Sequence, residues 1–295
     1  MSTPPFIAMP DGVALFAPPT APAPVLLAEP DAGVTGGADA TRGDVLLVPG
    51  FTGSKEDFIA ILAPLAALGW RVAAMDLPGQ GGFAGLGPRG SHTPETLADS
   101  VLAVAAWFAP DRRVHLVGHS MGGIVTRAAV LADPGRMASW SPVCSGPGPI
   151  PAQGHASLLG LQAALAAVPM EHIWLRKEAM DRAGGWNPPS DEVAEFCARR
   201  FIANDPAALG DFAEILMHVT DRTEEAARTI RAAGVAGAVV TGALDDAWPV
   251  AEQGLMAQRL GVAWHVIPDV GHNPATEDPP ATVAVLDGIF AASGT

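Results

Sequence analysis

Cysteine is scarce: Cys144 and Cys197 are the only two in a chain of 295 residues. Two thiols build no disulfide framework, so the chain must hold itself together by a buried core, and a reducing, cytoplasmic compartment is expected. Charge is also sparse at 16% of residues, and positive charge is the sparser sign, with 17 Lys and Arg against 31 Asp and Glu for a formal net charge of -14. A surface that acidic repels phosphate backbones and anionic lipid headgroups. Nucleic acid and membrane are therefore not expected as partners, which leaves a small molecule. No apolar run approaches the roughly 18 residues that span a bilayer. Met1–Pro10 lacks the basic stretch followed by an apolar one that marks a secretory leader.

What is present is apolar: hydrophobic residues make up 49% of the chain. That content argues for a compact globule with a large core, as one α/β domain or a domain plus an insertion.

The local patterns say which. Phe6 to Pro18 reads as a hairpin around Asp11-Gly12. A short strand at Val25–Ala28 and a Gly/Ala/Asp-rich loop from Asp31 to Gly43 follow. Asp44 to Val48 is apolar at every position after the first, the mark of a central strand covered on both faces. Helical spacing of Phe58, Ile61, Leu62 and Leu65 predicts a helix from about Lys55 to Leu68. A strand at Arg71–Met75 comes next. Thr93 then caps a helix that runs to about Phe108. Further strands are expected at Val114–Val117, Ala138–Cys144, Gly237–Thr241 and Ala263–Ile267, and helices at Glu224–Ala233, Val250–Leu260 and Pro280–Ala292. Strands alternating with helices spell a doubly wound, mostly parallel sheet. The alternation stops after Cys144. Between Gly146 and about Arg222 the chain offers only helical segments, at Leu158–Val168, Met170–Met180, Val193–Ile202 and Ala207–Val219. The division expected is a core of residues 1–145 and 223–295 with a helical cap of residues 146–222.

One stretch carries chemistry. The strand at Val114–Val117 runs into Gly118-His119-Ser120-Met121-Gly122, and an Ala/Val-rich helical stretch follows. Strand, sharp turn and helix put a serine hydroxyl at the tip of the strand, with Gly118 and Gly122 where side chains would collide. A serine hydroxyl is a poor nucleophile until a base takes its proton and a third group holds that base in one tautomer. In open α/β sheets such groups gather beyond the C-terminal strand ends. The strand at Gly237–Thr241 is followed by Asp245 and Asp246, and the next by Gly271-His272-Asn273. The only other place for the acid, Ser141 to His155, contains no carboxylate. Asp245, three residues after Gly242, is the candidate acid, and Asp246 a capping or surface residue. His272 is the candidate base. His119 and His115 are read as structural, and neither belongs to a metal-ligand pattern. Oxyanion donors are expected from the backbone N–H of Met121 and of Phe51, in the loop after Asp44–Val48.

These pieces resemble the α/β-hydrolase fold, serine-nucleophile branch, with a helical cap. The resemblance runs from Asp44 to the C-terminal helix through Pro49-Gly50-Phe51, Asp76-Leu77-Pro78-Gly79-Gln80-Gly81, Gly118 to Gly123, Gly242 to Pro249, and Gly271-His272 with Glu277 and Pro279. Two positions depart from the family's usual pattern. The oxyanion loop begins Pro49-Gly50 where His-Gly is usual, and Gln80 stands where a histidine is common. Relatives with an aspartate nucleophile are disfavoured by Ser120.

Gly85-Leu86-Gly87-Pro88-Arg89-Gly90 matches a dinucleotide-binding fingerprint letter for letter. It neither leaves a strand nor opens a helix, so it reads as a loop. Within the insertion, Met170, Trp174, Met180, Trp186, Phe196 and Met217 are candidates for lining an apolar pocket.

The expectation is a cofactor-free serine hydrolase of small or medium, mostly apolar carboxylic esters, lactones or thioesters. Carbon–carbon bond hydrolysis, acyl transfer and perhydrolase-type chemistry on the same three residues stay open. So does a non-catalytic small-molecule binder.

Overall fold

The computed structural model describes residues 15, 16, 18, 20–30 and 41–293. Most of the expected Phe6–Pro18 hairpin, and residues 31–40 of the expected loop, lie outside them.

Eight strands form one sheet in the order β1-β2-β4-β3-β5-β6-β7-β8. They are β1 (Leu15–Phe16), β2 (Val25–Ala28), β3 (Gly43–Val48), β4 (Trp70–Met75), β5 (Val114–His119), β6 (Met137–Val143), β7 (Ala236–Gly242) and β8 (Ala263–Ile267). The first two pairings, β1 with β2 and β2 with β4, are antiparallel. Every later pairing is parallel.

The unbroken apolar run of β3 now has its reason. Leu46 and Val48 enter the hydrophobic cluster on one face of the sheet, while Val45 and Leu47 enter the cluster on the other. A strand buried on both faces needs no polar alternation.

Helices flank both faces. α1 (Ile59–Ala67) and a C-terminal helix at Pro279–Ala292 cover one face. α2 (Pro94–Phe108), α3 (Met121–Ala132) and helices at Thr223–Ala233 and Val250–Leu260 cover the other. The Lys55–Leu68 helix begins as a 3₁₀ turn, Lys55–Phe58, before continuing as α1. Thr93 caps α2 as expected: Thr96 N–H donates to Thr93 Oγ1 at 3.2 Å, and Thr93 N–H to Thr96 Oγ1 at 2.9 Å. Pro94 follows at the first helical position, where its missing N–H costs nothing.

Between β6 and β7 the chain forms α4 (Ala152–Leu165), α5 (Met170–Ala183), α6 (Asp191–Ile202), α7 (Pro206–His218) and α8 (Thr223–Ala233), with no strand among the described residues. α7 is the best buried of the first four, with Leu209, Phe212 and Ala213 fully enclosed. Asp211 on α7 pins the Gly85–Gly90 loop. It accepts from Gly90 N–H at 2.8 and 2.9 Å, from His92 N–H at 3.1 Å and from Arg89 Nε at 2.8 Å. A protein carboxylate thus fills the place a phosphate would need, and the glycine pattern there is a structural loop.

The chain reverses direction across the sheet between β3 and β5. After β3 it steps outward to β4, and from β5 it proceeds the other way to β6, β7 and β8. Strand ends at such a switch point diverge and leave a crevice, which is where open α/β sheets bind ligands.

Candidate active site

Ser120 sits in that crevice, directly after β5. Its backbone lies at φ 55 and ψ -124, a left-handed conformation that a non-glycine residue adopts only under constraint from its surroundings. The constraint is visible. Ser120 N–H donates to Val143 O at 2.9 Å, and Gly123 N–H donates back to Ser120 O at 2.9 Å. A Cβ on Gly122 would lie 2.5 Å from the carbonyl oxygens of both Val48 and Pro49, so only glycine lets α3 pass this close to the end of β3. Ser120 is buried, with 6% of its surface exposed, yet it lines a cavity of about 860 Å³.

The loop after β3 lies against Ser120. A Cβ on Gly50 would meet the Ser120 Cβ at 2.8 Å. Gln80, left without a role by the sequence, fixes this loop. Its Nε2 donates to Gly50 O at 2.6 Å and its Oε1 accepts from Leu77 N–H at 2.9 Å. Gly50 O and Phe51 N–H belong to one planar peptide and point opposite ways. Holding the carbonyl therefore orients the N–H away from Gln80. Phe51 N–H has no acceptor among the described residues, and Phe51 lines the same cavity. Met121 opens α3, so its N–H has no partner within the helix.

His272 and Asp245 come from the loops after β8 and β7. His272 Nδ1 and Asp245 Oδ1 are 2.8 Å apart. Against a carboxylate that nitrogen carries the proton, which leaves Nε2 of the neutral ring as a proton acceptor. His272 lines the cavity together with Ser120. Its loop is gripped on both sides by Glu277, which accepts from Gly271 N–H at 2.6 Å and from Asn273 N–H at 2.8 Å.

Asp245 is buried, at 8% exposure. Burial alone would raise its carboxyl pKa. Hydrogen bonds from His272, Ala247 N–H and Gln253, with the charge attraction of His272, outweigh that and hold it below the ordinary carboxylate value. Asp246 also reaches the cavity wall but makes no contact of this kind with His272.

His119 has more of a part than the sequence suggested. Its Nε2 donates to His272 O at 2.7 Å, tying the serine turn to the histidine loop. Burial, with the charge of His272 adding to it, pushes the His119 ring down to about 4, so it stays neutral. Nothing in the spacing of His119 and His272 signals this bond; only the side-by-side strand ends bring them together.

Cys144, Asp245 and His272 offer donor atoms within 4.8 Å of one another. They are a poor metal set. A thiol binds metals as thiolate, and burial, followed by the charge of Asp245, pushes the Cys144 thiol well above its ordinary range. Asp245 and His272 are also committed to each other.

The cavity is more mixed than an apolar pocket. Trp174, Met180 and Trp186 line it as expected. Met170 and Met217 belong to the core cluster instead. Lys177 with Asp181, and Arg200 with Asp57, add two ion pairs to its wall.

A model of the alpha/beta hydrolase family matches residues 45–285. No curated protein matches the chain by sequence. Among solved structures, a thermophilic esterase from Thermogutta terrifontis is 22% identical, with a TM-score of 0.71 over 96% of this chain and 99% of that one. An enol-lactonase from Burkholderia xenovorans is 17% identical, with a TM-score of 0.70 over 95% of this chain and 98% of that one. At these identities the likeness is one of fold.

Proposed function

The chain belongs to the alpha/beta hydrolase family, and from that membership we propose that it hydrolyses carboxylic esters, lactones or thioesters through an acyl-enzyme. The observation that carries the reading is the half-buried 2.8 Å contact between His272 Nδ1 and Asp245 Oδ1, with His272 and Ser120 lining one cavity. The esterase and lactonase likenesses agree with it.

In this reading His272 Nε2 takes the Ser120 hydroxyl proton as Oγ attacks the ester carbonyl. The N–H groups of Phe51 and Met121 hold the oxyanion, each worth roughly 2.7–4 kcal/mol of barrier. The imidazolium is stabilised by Asp245 and returns its proton to the departing alcohol. Water, deprotonated by the same nitrogen, then attacks the acyl group and releases the acid and Ser120. No step calls for a cofactor or metal.

In this reading residues 146–222 act as a cap over a core formed by the described residues on either side of them in the chain. Helices α4 to α6 supply the far wall of the cavity, whose volume of about 860 Å³ suits a medium-sized substrate. Two free cysteines fit a cytoplasmic setting. No helix among the described residues is long and apolar enough to cross a membrane.

The test is a panel of p-nitrophenyl esters of graded chain length together with lactones, run beside fluorophosphonate labelling read by intact mass. Turnover and a single adduct on Ser120 are expected. An unlabelled Ser120 would sink the hydrolase reading and favour a binder.

A further inference from the structure

Gln253 has no part in the reaction as written, and it is fully buried in the helix Val250–Leu260 behind Asp245. We propose that Gln253 is a positioning residue for Asp245, the inner end of a one-way run of hydrogen bonds that starts at the edge strand β8. The inference rests on the reading of Asp245 and His272 given above.

The direction of the run follows from what each group can do. Trp264 lies on β8, and its indole N–H can only donate. It donates to Thr241 Oγ1 at 3.0 Å. Thr241, on β7 and fully buried, passes its own hydroxyl proton to Gln253 Oε1 at 3.0 Å. The carbonyl of Gln253 is assigned to the Thr241 side because its other partners, Asp245 Oδ2 and Trp248 O, can only accept and so take the NH₂ group. Nε2 then donates to Asp245 Oδ2 at 2.7 Å and to Trp248 O at 3.1 Å. A flipped amide would set the Gln253 oxygen against Asp245 Oδ2 and Trp248 O, which can only accept.

The consequence falls on Asp245. Oδ1 takes the bonds from His272 Nδ1 at 2.8 Å and Ala247 N–H at 3.0 Å. Oδ2 faces Gln253. With both oxygens engaged, the carboxylate stays charged and keeps its plane toward His272. Without Gln253, a buried oxygen loses its donor, the carboxylate becomes more basic, and it grips a protonated His272 more tightly. A neutral amide does this without placing a second charge beside Asp245.

Three variants cut the run at successive links: Gln253→Met, Thr241→Val and Trp264→Phe. Each is followed by kcat and KM on p-nitrophenyl butyrate against pH, and by the low-field proton resonance of His272 Nδ1–H. The other ionisable groups facing His272 are His119 at the end of β5, Cys144 after β6 and Glu277 beyond its own loop, and all stay unchanged. Gln253→Met is expected to lower kcat about tenfold, as outer-shell hydrogen-bond partners do, with KM little altered. The acid limb of kcat/KM should move to higher pH by about half a unit or more, and the resonance should be displaced. Thr241→Val should do the same to a smaller extent and Trp264→Phe least.

Folded variants that leave the pH limb and the resonance in place would overturn the proposal, even with a lower kcat, because a merely structural glutamine would behave that way. If Gln253→Met does not fold, the other two variants decide the same question by the same two readouts. If the parent protein neither turns over esters nor labels at Ser120, the hydrolase reading fails on its own. The resonance then still decides Gln253: displacement in the variants upholds the hydrogen-bonded run, and persistence refutes it.

Discussion

The turn that carries Ser120 and the helices above it are built to different standards. All six residues of β5 are buried, and so are ten consecutive residues of α3, Met121 to Val130. Backbones there touch without intervening side chains. In α4 only Leu158 is buried, and in α5 only Met170, Ile173 and Trp174. Leu159 and Leu175 stand 55% and 62% exposed. Exposed ion pairs one helical turn apart, such as Arg182 with Glu178, lace the outer surface and contribute little each. The two regions divide the labour. Under the proposed function, the turn would have to hold atoms at reacting distance and tolerates no slack, whereas a covering that would admit a substrate can be loosely held.

The strongest challenge to that contrast is to remove the chemistry from the tight region and leave its packing alone. Ser120→Ala deletes one oxygen and should cost about 10⁴-fold or more in kcat with thermal stability nearly unchanged. Asp245→Asn should cost up to roughly 10⁴-fold, since the base then sits in the wrong tautomer. Asp246→Asn should cost little. Reversal of the two aspartates in a kcat comparison would move the acid to Asp246 and sink the assignment.

The elements of the sheet were legible because each signals locally. The apolar run of Asp44–Val48, the cap at Thr93 and the Gly-x-Ser-x-Gly turn all lie within a few residues of what they control. The meeting of Asp245 with His272 was legible for another reason: topology fixes which strand-end loops lie side by side, and few candidates stood there. Gln80, His119 and Gln253 were not legible in their roles. Gln80 grips a carbonyl 30 residues away, and His119 one 153 residues away. No spacing rule encodes a bond between side chain and backbone that exists only once distant strand ends are adjacent. The ion pair of Arg200 with Asp57 in the cavity wall escaped for the same reason, since it joins residues 143 apart.

A backbone substitution probes the tight region next. A Cβ on Gly118 would lie 2.3 Å from Gly122 O, a backbone atom that cannot swing aside. Gly118→Ala should destabilise by about 3 kcal/mol or more, and lower activity with it. A stability change within a few tenths of a kcal/mol in urea unfolding would show that the turn can relax after all.

Acid should loosen the tight region through its buried histidines. Burial pushes His115, packed between Trp70 and Phe290, down to about 4. His119 is pushed as low. Both lie below their unfolded value near 6.5, so the unfolded chain binds the extra protons. The stability they lend is present above about pH 6.5 and is lost as pH falls toward about 4, on the order of 3 kcal/mol for each ring. His115→Gln should flatten the pH dependence of the urea midpoint across that window by about one proton. An unchanged slope would mean His115 titrates normally in the folded state.

The smallest effect should have the opposite sign and belongs to the loose region. Gly160 lies in the exposed middle of α4, and beyond the adjoining turns of its own helix no atom lies within 4 Å of where a Cβ would point. A glycine there carries conformational freedom that folding must remove, at a cost of about 1 kcal/mol relative to alanine. Gly160→Ala should therefore raise the melting temperature by about 2 °C and leave kcat on a short ester unchanged. The same glycine-to-alanine exchange would then stabilise α4 and damage the Ser120 turn. A Gly160→Ala variant that melts lower than its parent would place a close neighbour against that helix face, and the contrast between the two regions would fail at that point.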